Sequence, residues 1–202
     1  MDRIALTTIL AAAVTLCAVA TLSVESRYRH RRRRIPSVCR KVIFLDIDGV
    51  LNRTKKAKQI ICDADLIGQL KKIIDRAEGV QIVLSTFWRP FDAYIAYVLS
   101  RHGIDGALVV GATPGVSKST TVQTSSVRHL LAVETFDDTS LYSNRAAEIR
   151  AYLARHPQIT HFAILDDRDD AADSELLRAF VHTDATRGLT DADVELAVTL
   201  LT

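Results

Sequence analysis

The chain has 202 residues, of which 48% are hydrophobic and 25% charged, so it is long enough to bury one sizeable core. Its three cysteines, Cys17, Cys39 and Cys62, are scattered and odd in number. They argue against a disulfide framework or a zinc site and fit a reducing compartment. Residues 1–41 carry nine Lys/Arg and two Asp/Glu, or +7, and since the whole chain is +2, residues 42–202 total −5. This mildly acidic part weighs against a large nucleic-acid-binding face, because such binding relies on Lys and Arg neutralising phosphates.

The N-terminal region has the pattern of a membrane anchor. Residues 4–24 form a run of 21 residues without a charge, and as a helix they would be about 31 Å long, close to the roughly 30 Å of a hydrocarbon core. The arginine-rich stretch 27–34 follows this run, whereas a cleaved signal peptide carries its positive charge in front. Because basic flanks stay in the cytosol, we predict a single-pass signal anchor over residues 1–26, a basic juxtamembrane linker over 27–39 and a cytosol-facing domain over 40–202.

Other interpretations of this region remain open. Residues 4–24 also fit a secretory or organellar presequence, or a helix that lies in the membrane interface. The arginine cluster also fits a site for anionic lipid, a nuclear-localisation signal or a nucleic-acid patch. A juxtamembrane flank needs none of these additional roles.

The stretch VIFLDIDGVL, residues 42–51, is the strongest single signal in the domain. Its continuous apolar start is typical of a central strand covered on both faces. Carboxylates cannot stay in a core unpaired, so the strand should deliver Asp46 and Asp48 to an open edge. Gly49 allows the backbone to turn there without a Cβ penalty. The alternative is a strand followed by an ordinary Asp-Gly turn.

The rest of the domain alternates between helical periods and short apolar runs. Residues 52–61 are polar and basic and are predicted to form a loop, whereas residues 111–143 show no sustained period and include a Ser/Thr-rich loop or small lid at 117–126. Helices are predicted between Asp63 and Gly79, at 91–102, from Asn144 to about 155, and after Thr190. Thr190 forms a capping box with Asp193. Strands are predicted at 80–84, 107–110, 161–165 and 180–182. This alternation predicts a parallel α/β sheet with its site at the carboxyl ends of the strands.

Three of the predicted strands end in polar side chains, namely Asp46-x-Asp48-Gly, Ser85-Thr86 and Asp166-Asp167. This ordered set resembles the haloacid dehalogenase (HAD) superfamily, whose members are mostly Mg²⁺-dependent phosphatases with a Rossmann-like fold. The resemblance covers about residues 40–202. Four short stretches are also similar to the compact HAD domains associated with Swiss-army-knife RNA-repair proteins: LSTFWR at 84–89, VGATP at 110–114, RAAEI at 145–149 and TDATRGLT at 183–190.

The resemblance implies an α/β, Rossmann-like, three-layer parallel sheet, here preceded by the predicted transmembrane helix. The gap between residue 51 and the helix near Asp63 is too short for a helical cap domain, and the insertion at 111–143 is mostly low in apolar content. We therefore expect a small or absent cap.

The resemblance also implies catalytic roles, which the chemistry of the side chains supports. Asp46 would be the nucleophile that forms an aspartyl-phosphate, and Asp48 would be general acid to the leaving group and then general base to water. Ser85 would hydrogen-bond a phosphoryl oxygen, and Thr86 takes its place if the register differs by one residue.

The third motif departs from the family pattern. The superfamily often has a lysine there, whereas in this chain Arg145 is the best-placed basic residue and Lys118 is the second candidate. Either would offset the negative charge gathered at the site. The six histidines show no ligand spacing, so we expect no histidine metal site.

The implied metal site consists of oxygen ligands. Oxygen-rich sites suit Mg²⁺ rather than zinc. The predicted ligands are the side chains of Asp46, Asp166 and Asp167 and the backbone carbonyl of Asp48, with Asp170 orienting the group from outside.

A second set of residues is predicted to meet the substrate. Gly49 lies in the turn after the nucleophile, and Arg89 is a candidate for reaching a phosphate. Arg53, Lys55, Lys56 and Lys58 follow the nucleophile motif, and a basic loop at the rim would attract an anionic substrate to an otherwise acidic domain. The alternative is a solvated basic loop.

Together these features predict a membrane-anchored, Mg²⁺-dependent phosphomonoester hydrolase that acts on a phosphorylated substrate of unknown type through an aspartyl-phosphate. One alternative is a polynucleotide-end phosphatase, which the RNA-repair likeness implies, although the acidic domain does not favour nucleic acid. Another is a catalytically idle HAD fold that binds proteins at a membrane. The presence of all the carboxylates argues against this last alternative.

The predicted anchor is testable. Full-length protein should resist carbonate extraction from membranes because of the apolar run at residues 4–24, and added protease should reach the domain only from the cytosolic side. A protein recovered cleaved after Ala20 or Ser23, and secreted, would contradict the anchor.

Overall fold

The computed structural model describes residues 40–55, 57–115 and 144–202. These residues form five strands and four α-helices, which alternate except between the last two strands, where only 3₁₀ turns intervene. The strands are β1 (Lys41–Leu45), β2 (Gln81–Leu84), β3 (Val109–Ala112), β4 (His161–Asp166) and β5 (Phe180–His182). The helices are α1 (Ala64–Arg76), α2 (Asp92–Arg101), α3 (Arg145–Arg155) and α4 (Asp191–Leu201).

The strands form one parallel sheet in the order β3-β2-β1-β4-β5, which confirms the predicted α/β, Rossmann-like architecture. The chain moves outward from β1 through β2 to β3 and then returns to the opposite side of β1 as β4. β1 and β4 therefore flank the point where the strand order reverses, and ligands of open α/β sheets bind at the carboxyl ends of strands at such a point.

Both faces of the sheet are covered, as the unbroken apolar run of β1 predicts. Ile43 and Leu45 point to one face and pack with apolar residues of α1, α2 and α4. Val42 and Phe44 point to the other face and pack with α3. All four side chains are fully buried, so the described residues form three layers around a central β1.

Most element boundaries lie within two residues of their predicted positions. The Asn144 side chain accepts a hydrogen bond from the Ala147 N–H at the start of α3, and Thr190 with Asp193 forms the predicted capping box at the start of α4.

The third strand was predicted too early, at 107–110. The Asp105 side chain accepts a hydrogen bond from the Ala107 N–H and caps a short 3₁₀ turn over Gly106–Leu108, so the strand begins only at Val109. Residues 107 and 108 therefore belong to the turn. The strand ends at Ala112, two residues beyond its predicted end at 110.

Residues 46–55 and 57–63 contain no helix or strand, so the described part of the β1–α1 connection holds no cap domain. No helix among the described residues is long and apolar enough to cross a membrane. The predicted anchor at residues 4–24, most of the 111–143 insertion with its predicted lid, and Lys118 lie outside the described residues.

Candidate active site

The sheet register brings three polar residues to one level. Leu45, the last residue of β1, pairs with Leu84 of β2 and Leu165 of β4. The next residues are Asp46, Ser85 and Asp166, and the ladder continues through hydrogen bonds from the Ser85 N–H to the Leu45 carbonyl (2.8 Å) and from the Asp46 N–H to the Leu165 carbonyl (3.0 Å). These three side chains therefore emerge from neighbouring strands at the same edge.

Asp46, Asp166 and Asp167 form a close group of carboxylates, which we call the carboxylate cluster. One oxygen from each lies within 4.8 Å of the others. Burial raises the pKa of Asp46, although the Arg145 guanidinium, the Thr86 hydroxyl and the Ile47 N–H oppose the rise. Burial and the nearby Asp46 together raise the pKa of Asp166 well above its ordinary range and also raise that of Asp167. Three carboxylates this close disfavour one another's ionised forms.

Arg145, the first residue of α3, faces this cluster. Its Nη2 lies 3.9 Å from Asp46 Oδ2 and its Nη1 lies 3.7 Å from Asp166 Oδ2. Nη1 also lies 3.5 Å from the Ser85 hydroxyl, and the guanidinium sits 5.2 Å from the centre of the Phe87 ring. The separations from the carboxylates exceed hydrogen-bond length, so the cation offsets the negative charge without closing on either carboxylate.

A buried network holds the position of Arg145. Glu148, one turn further along α3, lies 3.9 Å from Arg145 Nε and accepts a hydrogen bond from Arg89 Nη2 at 2.9 Å. The remaining Arg89 nitrogens donate to the backbone carbonyls of Thr86 (2.7 Å), Thr113 (3.1 Å) and Pro114 (2.8 Å). Arg89 therefore ties the ends of β2 and β3 to α3, and a buried guanidinium with all these partners is well satisfied.

Asp48 lies beside the cluster with its carboxylate turned to a different set of partners. Its Oδ1 accepts from Asn52 Nδ2 at 2.9 Å, and its Oδ2 accepts from the Ala57 N–H and from the Trp88 indole N–H, both at 3.2 Å. The bend after β1 thus separates Asp48 from Asp46. The two carboxylates of the Asp-x-Asp motif occupy different surroundings and are suited to different tasks.

Gly49 allows Asp167 to approach the turn. Its φ is +74°, and a Cβ added at this position would lie 2.5 Å from Asp167 Cγ, which is closer than atoms can pack. The Thr183 hydroxyl donates to the Gly49 carbonyl at 2.9 Å, and the Thr183 N–H donates to the Asp166 carbonyl at 3.0 Å. The residue after β5 therefore fastens the turn after β1 to the end of β4.

The cluster fits the predicted Mg²⁺. Asp166 Oδ2 is buried and has no hydrogen-bond partner among the described residues, although buried carboxylate oxygens are normally hydrogen-bonded or bound to a metal. Arg145 Nη2 is also buried without such a partner, as expected of a donor that meets an anion. Three carboxylates and no histidine or cysteine form an oxygen donor set, which suits a hard cation such as Mg²⁺.

Both candidates for the phosphoryl-binding hydroxyl lie at the site. The Thr86 hydroxyl opposes the rise in the pKa of Asp46 and accepts from the Trp88 backbone N–H at 3.3 Å, whereas the Ser85 hydroxyl lies 3.5 Å from Arg145 Nη1. Ser85 is therefore the hydroxyl next to the cation that faces the cluster.

The structure does not bring Arg89 or Asp170 into the cluster. Arg89 is held by the buried network described above, with Glu148 and three backbone carbonyls as its partners. Asp170 forms a two-pronged pair with Arg168 at 2.7 and 2.8 Å, which lowers its pKa, and the nearby backbone N–H of Arg145 lowers this pKa further. Asp170 is not among the close carboxylates.

The residues of the predicted basic loop have different surroundings in the structure. Arg53 pairs with Asp63 and Asp65 and so braces the start of α1. Lys55 is exposed, and its charge partly opposes the rise in the pKa of Asp167. Lys58 lines a groove beside Trp88, and Lys56 lies outside the described residues.

The family comparison agrees with this geometry. The sequence model of a family described as the HAD domain in Swiss Army Knife RNA repair proteins matches residues 42–194, about three quarters of the chain. The chain belongs to this HAD family. No curated protein and no solved structure gave a significant match to it. Membership of the HAD family implies a hydrolase of the phosphatase type, and this HAD domain carries an acidic cluster able to bind Mg²⁺.

Several residues that shape the site of this HAD domain escaped the sequence reasoning. The sequence alone indicated no site role for Trp88, Thr183, Glu148 or Asn52. The first three act through contacts with residues 40, 134 and 59 positions away, and Asn52 acts through the turn after β1. One signal was available for Glu148. The spacing Arg145-x-x-Glu148 puts both side chains on one helix face.

The raised pKa values predict how stability depends on pH. A carboxyl whose pKa rises on folding stabilises the native state below its unfolded pKa of about 4, and that stabilisation is lost as pH rises through the folded value. The free energy of unfolding of the wild type relative to Asp166→Asn, measured in chelator by denaturant titration, should therefore fall as pH rises from about 4, by at most about 1.4 kcal/mol per pH unit for one proton. Mg²⁺ should flatten this dependence. A difference independent of pH in chelator would contradict the buried, crowded state of Asp166.

The approach of Asp167 to Gly49 predicts a specific metal defect. Gly49→Ala and the matched control Gly79→Ala both place a side chain at positive φ, but nothing lies within 4 Å of the added Cβ at Gly79. Positive φ should cost each variant roughly 1–2 kcal/mol of stability, and Gly49→Ala should lose more because its Cβ also meets Asp167. Only Gly49→Ala should also weaken Mg²⁺ binding in calorimetric titration, because it displaces Asp167. Equal Mg²⁺ affinity in the two variants would show that Asp167 does not depend on this close approach.

Proposed function

We propose that this chain is a Mg²⁺-dependent phosphomonoester hydrolase that works through an aspartyl-phosphate on Asp46. The observation that carries the proposal is the carboxylate cluster at the ends of β1 and β4 with Arg145 facing it. A dianionic phosphate approaching Asp46 would otherwise be repelled, so the site needs both the cation of Arg145 and a metal ion. When bound by Asp46, Asp166 and Asp167, Mg²⁺ would neutralise charge on the phosphoryl oxygens.

The chain's own groups account for both half-reactions. An Asp46 oxygen attacks phosphorus, the bond from phosphorus to the alcohol oxygen breaks, and Asp48 donates a proton to the leaving alcohol. Water then attacks the phosphorus of the aspartyl-phosphate, Asp48 takes the proton of that water, and the bond to Asp46 breaks to release inorganic phosphate. Ser85 and Arg145 donate hydrogen bonds to the phosphoryl oxygens in both steps.

The contacts of Asp48 indicate which oxygen delivers the proton. Its three observed partners are all N–H donors, and a protonated carboxyl cannot accept from all of them while it donates. The two 3.2 Å bonds to Oδ2 are longer than the 2.9 Å bond to Oδ1. Oδ2, which faces Trp88, is therefore the oxygen released for proton transfer.

A polynucleotide-end phosphatase is the second candidate, because the family is described from RNA repair proteins. The −5 charge of residues 42–202 argues against it. Comparing turnover of phosphorylated oligonucleotides with that of small phosphomonoesters, at several salt concentrations, separates the two candidates. The pattern of residues 4–24 supports the further proposal that the reaction takes place at the cytosolic side of a membrane.

The mechanism predicts distinct defects for the two motif aspartates. Asp46→Asn should abolish turnover, because it removes the nucleophile. Asp48→Asn should lower kcat by roughly 10²- to 10⁴-fold, the usual contribution of a general acid or base. With an aryl phosphate, whose leaving group needs little protonation, Asp48→Asn should also accumulate the aspartyl-phosphate, seen by mass spectrometry of the acid-quenched protein as one added phosphoryl group on Asp46.

Asp170→Asn is the matched control, since Asp170 is an aspartate near the site but outside the carboxylate cluster. It should keep most of the activity and give no covalent adduct beyond that of the wild type. Wild-type rates in Asp46→Asn would rule out the covalent mechanism.

A further inference from the structure

A groove lies directly beside the general acid. It has a volume of about 460 Å³ and is lined by Lys58, Gln59, Ile60, Trp88, Phe91 and Tyr94. One wall is the loop before α1, and the other is the segment from Trp88 into the first turn of α2. Its size is within the range of sites that bind small molecules.

Both walls of this groove are fastened to the Asp48 carboxylate. The Trp88 indole N–H and the Ala57 N–H, which directly precedes Lys58, both donate to Asp48 Oδ2 at 3.2 Å. Asn52 Nδ2 donates to Asp48 Oδ1 and also to the Ile61 carbonyl, both at 2.9 Å. The loop over 57–61 is therefore held to Asp48 directly at Ala57 and through Asn52 at Ile61, and Trp88, which lines the groove, is bonded to the same carboxylate.

We infer that this groove is the leaving-group subsite, and that it takes phosphomonoesters whose alcohol part carries a planar heteroaromatic ring, as in a nucleoside monophosphate. The inference rests on the proposed function. A general acid must lie within hydrogen-bond reach of the oxygen it protonates, so the leaving group must lie next to Asp48. The groove offers space for the rest of the leaving group at that position.

The lining favours a flat heteroaromatic ring. Trp88, Phe91 and Tyr94 bring three aromatic rings to one groove, with the centres of the Trp88 and Phe91 rings 6.1 Å apart. Tyr94 is 51% exposed, so its ring is available for stacking, which is the main way that proteins bind planar bases. The Gln59 amide offers a donor and an acceptor for ring heteroatoms, and Lys58 adds a positive charge in an otherwise acidic domain.

The chain supplies its own reporter for this site. Trp88 is the one tryptophan in the sequence, so the tryptophan emission of the full-length protein comes from the groove wall alone. Titration with adenosine in the presence of Mg²⁺ should give a saturable change in this emission. Ribose, which lacks the base, should give none.

Tyr97 provides the matched control for Tyr94. It lies one turn further along the same helix and is 56% exposed, but it does not line the groove. Tyr94→Ala should weaken adenosine binding by about 5- to 150-fold, the expected loss of one stacking contact, and should lower kcat/KM for adenosine monophosphate by a similar factor. The same variant should leave kcat/KM for glycerol phosphate unchanged, and Tyr97→Ala should leave all three quantities unchanged.

The outcomes separate this inference from the proposed function. Phosphatase activity with no emission change on adding adenosine, or with equal losses for both esters in Tyr94→Ala, would overturn the subsite while the hydrolase stands. An emission change without hydrolysis of any phosphomonoester would overturn the leaving-group assignment together with the function on which it rests. Equal effects of Tyr94→Ala and Tyr97→Ala would also overturn it, because stacking in the groove would then not be the cause.

Discussion

Crowding of the carboxylates of Asp46, Asp166 and Asp167 is the constraint on which the rest of the site depends. Burial raises the pKa of all three carboxyls, and the nearby Asp46 adds to the rise at Asp166 and at the partly buried Asp167. The fold accepts the crowding because β1 and β4 are paired in register along five residues, which leaves the two strand ends side by side. Arg145 relieves part of the repulsion, and the unpaired Asp166 oxygen leaves room for a metal ion to relieve the remainder. Repulsion between the carboxylates thus destabilises the site, and a bound divalent cation would reduce this repulsion.

The position of Arg145 depends on the buried pair of Glu148 and Arg89. A long side chain at the start of a helix would otherwise be free to collapse onto one carboxylate. Glu148 attracts the Arg145 guanidinium away from the carboxylates. Arg89 pairs with Glu148 and also donates to backbone carbonyls at the ends of β2 and β3, which fixes the position of Glu148. Breaking a buried pair of this kind is costly, because the remaining charge is left uncompensated. Arg89 therefore contributes to the site by fixing the position of Glu148 and, through it, that of Arg145. Its direct contact with a phosphate stays a prediction.

Much of the architecture could be predicted from the sequence because it depends on local patterns. The unbroken apolar run in β1 indicates burial on both faces, and parallel strands that end in Asp46, Ser85 and Asp166 indicate a shared edge. Capping residues marked the helix starts, although the turn capped by Asp105 delayed β3. The contacts that adjust the site could not be predicted in the same way. The hydrogen bonds from Trp88 to Asp48 and from Thr183 to Gly49 join residues 40 and 134 positions apart, and no local period encodes them. Arg53 and Lys58 come from the same basic loop, but Arg53 pairs with α1 and Lys58 lines the groove. This difference also depends on tertiary contacts.

The organisation around Asp48 links two tasks that are often separate. In phosphatases with a cap domain, recognition of the leaving group can be assigned to the cap, but the described β1–α1 connection of this chain has no helix or strand to serve that purpose. Its loop is instead hydrogen-bonded to Asp48, the proposed general acid, and so is the tryptophan of the opposite wall. A group that enters the groove would contact the Trp88 ring, whose N–H is hydrogen-bonded to Asp48 Oδ2. In the proposed mechanism proton transfer requires the release of Oδ2 from these N–H donors, so this release would be coupled to what occupies the groove. Recognition of the leaving group and delivery of its proton would then depend on the same few hydrogen bonds.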